Sequence, residues 1–179
     1  QTKTAEQLAT TLRETYLRDD AEISTTGDWA VLRRGKLSGV GDWSHQYGNV
    51  GNTSFSRDYR VKGSLGVLWY GDPGPSQMIN RHEAASAPLT TNGRFFVQGE
   101  DNVRAYDAYN GTFLWTYQNP GAIRTGVFNN NETSNRAASD DALYVVAGDT
   151  CTELDAATGA VKARYRSPQA DDGVPRSWG

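Results

Sequence analysis

The chain has 179 residues, the length of one domain or of one domain and a fragment. Only 37% of its residues are hydrophobic and 19 are glycine, a balance that fits short strands and many turns better than thick helices. The net charge is −3 with both signs interspersed and no basic block, so nothing points to nucleic acid or an anionic membrane surface, and no apolar run approaches the roughly 18 residues of a membrane span.

Residues 4–18 carry the one good helical pattern. Leu8, Leu12, Thr15 and Tyr16 share a face, and Thr4 with Gln7 three residues on has the form of a capping box. Residues 21–25 predict a short strand, Gly27-Asp28 a turn, and Trp29 to Arg33 a second strand closed by Arg34-Gly35. One helix and a hairpin cannot bury a core alone, so residues 1–40 are expected to decorate the next domain or to end an upstream one. Residues 41–179 form the second expected unit. The chain opens at Gln1 and closes on Ser177-Trp178-Gly179, and it reads as an excerpt of a longer protein.

From Asp42 to Phe55 the sequence is rich in Gly and Asn, which supply positive-φ positions and side-chain turns. Leu65-Gly66-Val67-Leu68-Trp69-Tyr70 predicts a short apolar strand, ended by Pro73 and Pro75. Arg81-His82-Glu83 then leads into Ala87-Pro88-Leu89 and the turn at Asn92-Gly93.

The organising feature is a repeat. Asp107-Ala108-Tyr109-Asn110-Gly111 and Asp155-Ala156-Ala157-Thr158-Gly159 lie 48 residues apart. At that offset Phe96 meets Tyr144, Val97 meets Val145, Asp101 meets Asp149, Tyr106 meets Leu154 and Tyr117 meets Tyr165. Strand patterns recurring every 40–50 residues are the sign of a propeller blade array. Each copy reads as strand, Gly/Asp turn, strand, Asp-x-x-x-Gly turn, strand. A fourth, inner strand is expected near residues 85–90 in the first copy and 135–139 in the second. Asn110-Gly111 suits a two-residue hairpin turn with positive φ at both positions. The expected fold is mainly β: an incomplete β-propeller of about two four-stranded blades plus a lead-in strand, with a small N-terminal α+β segment.

The stretch Phe95-Phe96-Val97-Gln98-Gly99, then Val103-Arg104-Ala105-Tyr106-Asp107-Ala108-Tyr109-Asn110-Gly111, then Leu114-Trp115, resembles the pyrroloquinoline-quinone (PQQ) type β-propeller repeat. Trp43, Asn52-Thr53 and Trp69 resemble the opening segment of such propellers. The resemblance implies that Trp69 and Trp115 dock between blades, and that Ala163, standing where the second copy would carry its tryptophan, loosens the docking of the second blade. It implies a periplasmic or extracellular setting. A weaker resemblance joins residues 1–40 to the C-terminal edge of a class I methyltransferase-like domain, without the glycine-rich cofactor loop.

Quinone-dependent dehydrogenases of this superfamily hold PQQ and a calcium ion with Glu, Asn and Asp ligands, an Asp base and an adjacent-cysteine disulfide. Calcium wants six to eight oxygens, and a carboxylate takes the substrate proton. Here Cys151 has no neighbouring cysteine and no segment matches the ligand motifs, so no cofactor and no metal site is evident, and PQQ with calcium is possible only in a full-length protein.

Arg81 and His82, before the first inner strand, and Asn135, at the second, are candidates to face a central funnel and bind an anionic or polar ligand; a surface cluster is the alternative. His45 reads as a turn hydrogen-bonding residue. Asp107, Gly111, Asp155 and Gly159 read as turn-makers of the repeat, Asp101 and Asp149 as first-hairpin turn residues, and Cys151 as a small buried hydrophobe. No residue stands out as catalytic. The expected function is a binding or scaffold module for a protein or small-molecule ligand. The alternatives are part of a quinone-dependent dehydrogenase and an accessory propeller on a methyltransferase-like domain.

Overall fold

The computed structural model describes residues 2–15, 21–34, 36–72, 86–99, 101–120 and 136–167. The chain divides into two units, Gln1–Val40 and Gly41–Gly179.

In the first unit, helix α1 (Ala5–Thr15) precedes a hairpin of β1 (Ala21–Thr26) and β2 (Trp29–Arg34). The capping box forms in both directions: Thr4 N donates to Gln7 Oε1 at 3.0 Å, and Gln7 N donates to Thr4 Oγ1 at 3.3 Å. The expected apolar stripe holds at Leu12 but not at Leu8 or Thr15. Ala9 is the buried residue of the helix and Leu8 is exposed. Ala5, Ala9 and Leu12 share the covered face, because small side chains let the helix approach the hairpin closely. Ile23 pairs with Leu32 in the hairpin, and Gly27 takes a positive φ of 56° in its turn. The expected helix end at Arg18 lies outside the described residues.

The second unit holds two four-stranded antiparallel sheets of one design. The first blade runs β3 (Leu89–Thr91), β4 (Arg94–Gln98), β5 (Asn102–Asp107) and β6 (Phe113–Gln118). The second runs β7 (Arg136–Ala138), β8 (Ala142–Ala147), β9 (Thr150–Asp155) and β10 (Val161–Arg166). In each, neighbours in sequence are neighbours in the sheet, as in the blades of a β-propeller. The inner strands are shorter than expected but lie where the repeat placed them.

Side-chain parity builds the contact between blades. Period-2 alternation sends Phe96, Val103 and Ala105 to one face of the first blade, and Leu143, Val145 and Leu154 to one face of the second. These two faces, with Leu89, Trp115, Ala138 and Ala156, form one buried cluster. Polar bonds lock its rim: Thr91 Oγ1 donates to Ser139 O at 2.8 Å, and Arg94 Nη1 donates to Asp140 O at 3.2 Å.

The Asp-x-x-x-Gly turn differs from the expected hairpin type. Asn110 has no positive φ, whereas Gly111 has +74°. Asp107 Oδ1 accepts from Tyr109 N at 2.8 Å and Asn110 N at 3.1 Å, and Gly111 N donates to Asp107 O at 2.9 Å. The carboxylate therefore caps one helical turn, and the glycine ends it in the left-handed region. Asp155 repeats the design on Ala157 N at 3.0 Å and Thr158 N at 2.9 Å, adding the Thr158 hydroxyl at 2.9 Å, with Gly159 at φ +73°.

A pH effect follows from that cap. The Thr158 hydroxyl first, then the Thr158 and Ala157 amides, hold the Asp155 carboxyl below its ordinary range. A depressed folded-state value gives stability that is present above the unfolded carboxylate range and lost as pH falls through the folded one. Asp155→Asn is therefore expected to be less stable than the parent at pH 7, with the gap closing towards pH 3 when urea midpoints are compared. A gap independent of pH would show that the charge contributes nothing.

Candidate functional site

The inner strands β3 and β7 come together in the second unit, and a segment the repeat did not announce lies between them. Trp43 bridges Thr90 in both directions, N to O at 2.8 Å and back at 2.9 Å, while Ala138 N donates to Ser44 O at 2.9 Å and His45 bridges Ala137. Residues 43–45 thus pair with the inner strand of each blade. A tight turn follows, with Gly48 N donating to His45 O at 3.0 Å and Ser44 N to Gly48 O at 2.8 Å. The Ser44 hydroxyl and His45 Nδ1 are 2.8 Å apart within this turn.

Arg136 starts β7 beside this seam. Its Nη2 donates to Ser86 Oγ at 2.6 Å and to Ala87 O at 2.9 Å. Ser86 Oγ in turn donates to Gln98 Oε1 at 2.9 Å, and Ala87 N donates to Gln46 Oε1 at 3.3 Å. Burial pushes the guanidinium down to about 10. Its Nε and Nη1 are buried with no hydrogen-bond partner among the described residues. Buried donors are paired almost without exception, so three free N–H hydrogens on a buried cation mark a place where an acceptor, best an anion, would be held.

Of the residues singled out in the sequence, Arg81, His82 and Asn135 lie outside the described residues. Asp107, Gly111, Asp155 and Gly159 sit in the two capped turns, and each glycine lies under a tryptophan. Trp69 Nε1 donates to Ala108 O at 2.9 Å, and Trp115 Nε1 donates to Ala156 O at 3.1 Å. Each indole therefore seats on the turn of the following blade. The second blade is held to the first by Trp115, and Ala163 lies in β10, outside the cluster that the two blades share. Asp101 and Asp149 also repeat, their carbonyls accepting from Asn119 N at 2.8 Å and Ser167 N at 2.9 Å. Cys151 is buried, and burial first, then Glu153, pushes its thiol up, which disfavours the thiolate.

Arg136 escaped the sequence reading. The available signal was a basic residue at the head of an inner strand, where the first copy has Pro88. Among the described residues no group of three or more His, Cys, Asp or Glu could hold a metal ion, so these residues do not supply a calcium cage. No helix among them is long and apolar enough to cross a membrane.

The family model described as outer membrane protein assembly factor BamB matches residues 76–175, more than half of the chain. The chain belongs to this PQQ-type propeller family. The match leaves Gln1–Val40 outside it. No curated protein matches the chain. Among solved structures, it is similar to BamB from Moraxella catarrhalis at 18% identity, over 42% of this chain and 21% of that one, with a TM-score of 0.32. It is similar to the quinohemoprotein alcohol dehydrogenase from Comamonas testosteroni at 23% identity, over 70% and 19%, with a TM-score of 0.46. The quinohemoprotein alcohol dehydrogenase ADHIIG from Pseudomonas putida HK5 is 20% identical over 73% and 20%, with a TM-score of 0.49. The chain spans about a fifth of the length of each.

Proposed function

We propose that the chain is part of an extracytoplasmic propeller that works as a binding or scaffold module and is not itself catalytic. Arg136 carries the reading. A guanidinium whose Nε and Nη1 are buried and without a partner among the described residues is costly to the fold unless it serves a bound acceptor. Its place at the head of an inner strand, beside the 43–45 segment, gives the module a carboxylate-accepting rim. The family description, an outer membrane assembly factor, supports a protein as the natural partner and a location outside the cytoplasm.

A direct test is calorimetric titration with pyrroloquinoline quinone, a tricarboxylate, with and without calcium, beside a dye-linked alcohol oxidation assay. Weak, calcium-independent uptake that Arg136→Met abolishes, with no turnover, is the expected result. Tight calcium-dependent binding with alcohol oxidation would overturn the reading in favour of a dehydrogenase. No uptake by either protein would remove the carboxylate-accepting rim from it.

A further inference from the structure

The segment after the 43–45 bridge is a hydrogen-bonded loop that turns basic and aromatic side chains to solvent. Its first half closes where Ser54 N donates to Tyr47 O at 2.9 Å and Asn52 N donates to Asn49 O at 2.9 Å. Asn49 Nδ2 adds a bond to the Thr53 hydroxyl at 2.6 Å. Its second half is pinned by Asp58. That carboxylate accepts from Gly41 N at 3.0 Å through Oδ2, and from Arg60 N at 2.7 Å and Val61 N at 2.8 Å through Oδ1. The Val61 amide first, then the Gly41 amide, hold its carboxyl below the ordinary range. Gly41 lets the loop seat, because a β-carbon there would collide with Ser56 O and Asp58 N. Asn52, Ser54 and Arg57 take positive φ of 52°, 53° and 55°, a conformation that residues with side chains keep only where surrounding bonds impose it.

The side chains on display share one character. Ser56 and Asp58 are half-buried at Gly41, whereas Phe55, Arg57, Tyr59, Arg60, Val61 and Lys62 are exposed. Phe55 is 56% exposed and Tyr59 67%. Residues 55–62 hold three cations against one carboxylate, in a chain whose net charge is −3. Backbone amides already occupy that carboxylate. The charge therefore fits an acidic partner, and the rings fit apolar side chains beside the acids. Tyrosine and arginine are the side chains that anchor protein interfaces, and the guanidinium fork matches a carboxylate. A backbone already fixed gives up little freedom on binding. An anionic leaflet is recognised by clusters of about four to eight Lys or Arg, more than this loop carries.

We propose that residues 55–62 are a docking site for an acidic segment of a partner protein. Carboxylates of that segment pair with Arg57 and Lys62, and an apolar side chain between them packs on Phe55 and Tyr59. Arg136, bonded to Ser86 and Ala87, has no part in this site, so each of the two holds or fails by itself.

The test follows backbone amide shifts of the whole chain by NMR. The titrants are decapeptides in which Asp and Glu alternate with Phe and Leu, copies with Asn and Gln in place of the acids, and vesicles of anionic phospholipid. The acidic peptides are expected to shift residues 55–62 saturably, about tenfold or more tightly than the neutral copies, and to weaken by about tenfold when added salt screens the charges. Arg57→Glu combined with Lys62→Glu changes two exposed side chains, so an unchanged circular dichroism spectrum and a loss of binding of about tenfold or more are expected. Absence of saturable shifts in residues 55–62 at millimolar peptide overturns the proposal. So do neutral copies that bind as tightly, a double variant that binds like the parent, and shifts that saturate at Arg136 instead. Vesicles that bind more tightly than any peptide assign the loop to a membrane and overturn it equally.

Discussion

Trp115→Ala is expected to cost about 4 kcal/mol or more and to uncouple the two blades. Truncating a buried tryptophan removes about 3–5 kcal/mol through lost transfer energy and the cavity left behind. Trp115 is 7% exposed, packs on Phe96 at 5.9 Å between ring centres and belongs to the cluster shared by both blades. The loss also strips Ala156 O of its indole donor, worth about another 1 kcal/mol. At this chain length, that total corresponds to a fall of about 10 °C or more in Tm. Trp115→Phe retains most of the ring and loses the N–H, so about 1–2 kcal/mol is expected. Trp69→Ala makes the sharper control. It empties the same kind of seat, but its indole is only half-buried and its segment has no ladder partner among the described residues, so roughly half the loss is expected. Urea denaturation followed by near-ultraviolet circular dichroism measures all three. If Trp115→Ala costs no more than Trp69→Ala, the shared core does not depend on the indole.

The seats were partly legible in the sequence because their parts are local. A carboxylate followed four residues later by glycine is a local signal for a capped turn, and two such signals 48 residues apart with matching flanking strands point to a repeat. Strand parity then follows from alternation alone. The turn type did not, because Asn110-Gly111 has the composition of a two-residue hairpin while Asp107 captures two amides and winds the chain into a helical turn. The strand at residues 65–70 was read from its apolar run, but a strand is defined by a neighbour, and composition does not show whether one is present. The bridge made by residues 43–45 is further from reach. It joins Thr90 and Ala137, 47 and 92 residues away from Trp43 and His45, through backbone atoms that any residue type offers. Arg136 lies in between: a cation at a strand start is visible, but its burial depends on Ser86, Ala87 and Gln98 arriving from the other blade.

Gly159→Ala is expected to cost about 2–4 kcal/mol, and Gly111→Ala about half as much, although the two positions look alike. Both glycines are in the left-handed region, at φ +73° and +74°, where a β-carbon costs about 1–2 kcal/mol. Both lie under an indole: a β-carbon on Gly159 falls 2.6 Å from Trp115 Cε3, and one on Gly111 falls 2.5 Å from Trp69 Cε3. Such an approach is resolved only by displacing the ring, and overpacking of this kind adds about 1–3 kcal/mol where the ring cannot move. Trp115 cannot. It is buried, bonded to Ala156 O and carried by a strand laddered to β5. Trp69 is only half-buried and rides on a segment without a ladder partner among the described residues, so it can retreat into solvent and Gly111→Ala meets the backbone term almost alone. Gly159→Asn separates the two costs, because asparagine tolerates positive φ yet still meets the indole; it is expected to recover part of the loss and no more. The measurement is the shift in urea midpoint at unchanged slope for the three variants. Equal losses at Gly111 and Gly159 would show that Trp69 is held as firmly as Trp115.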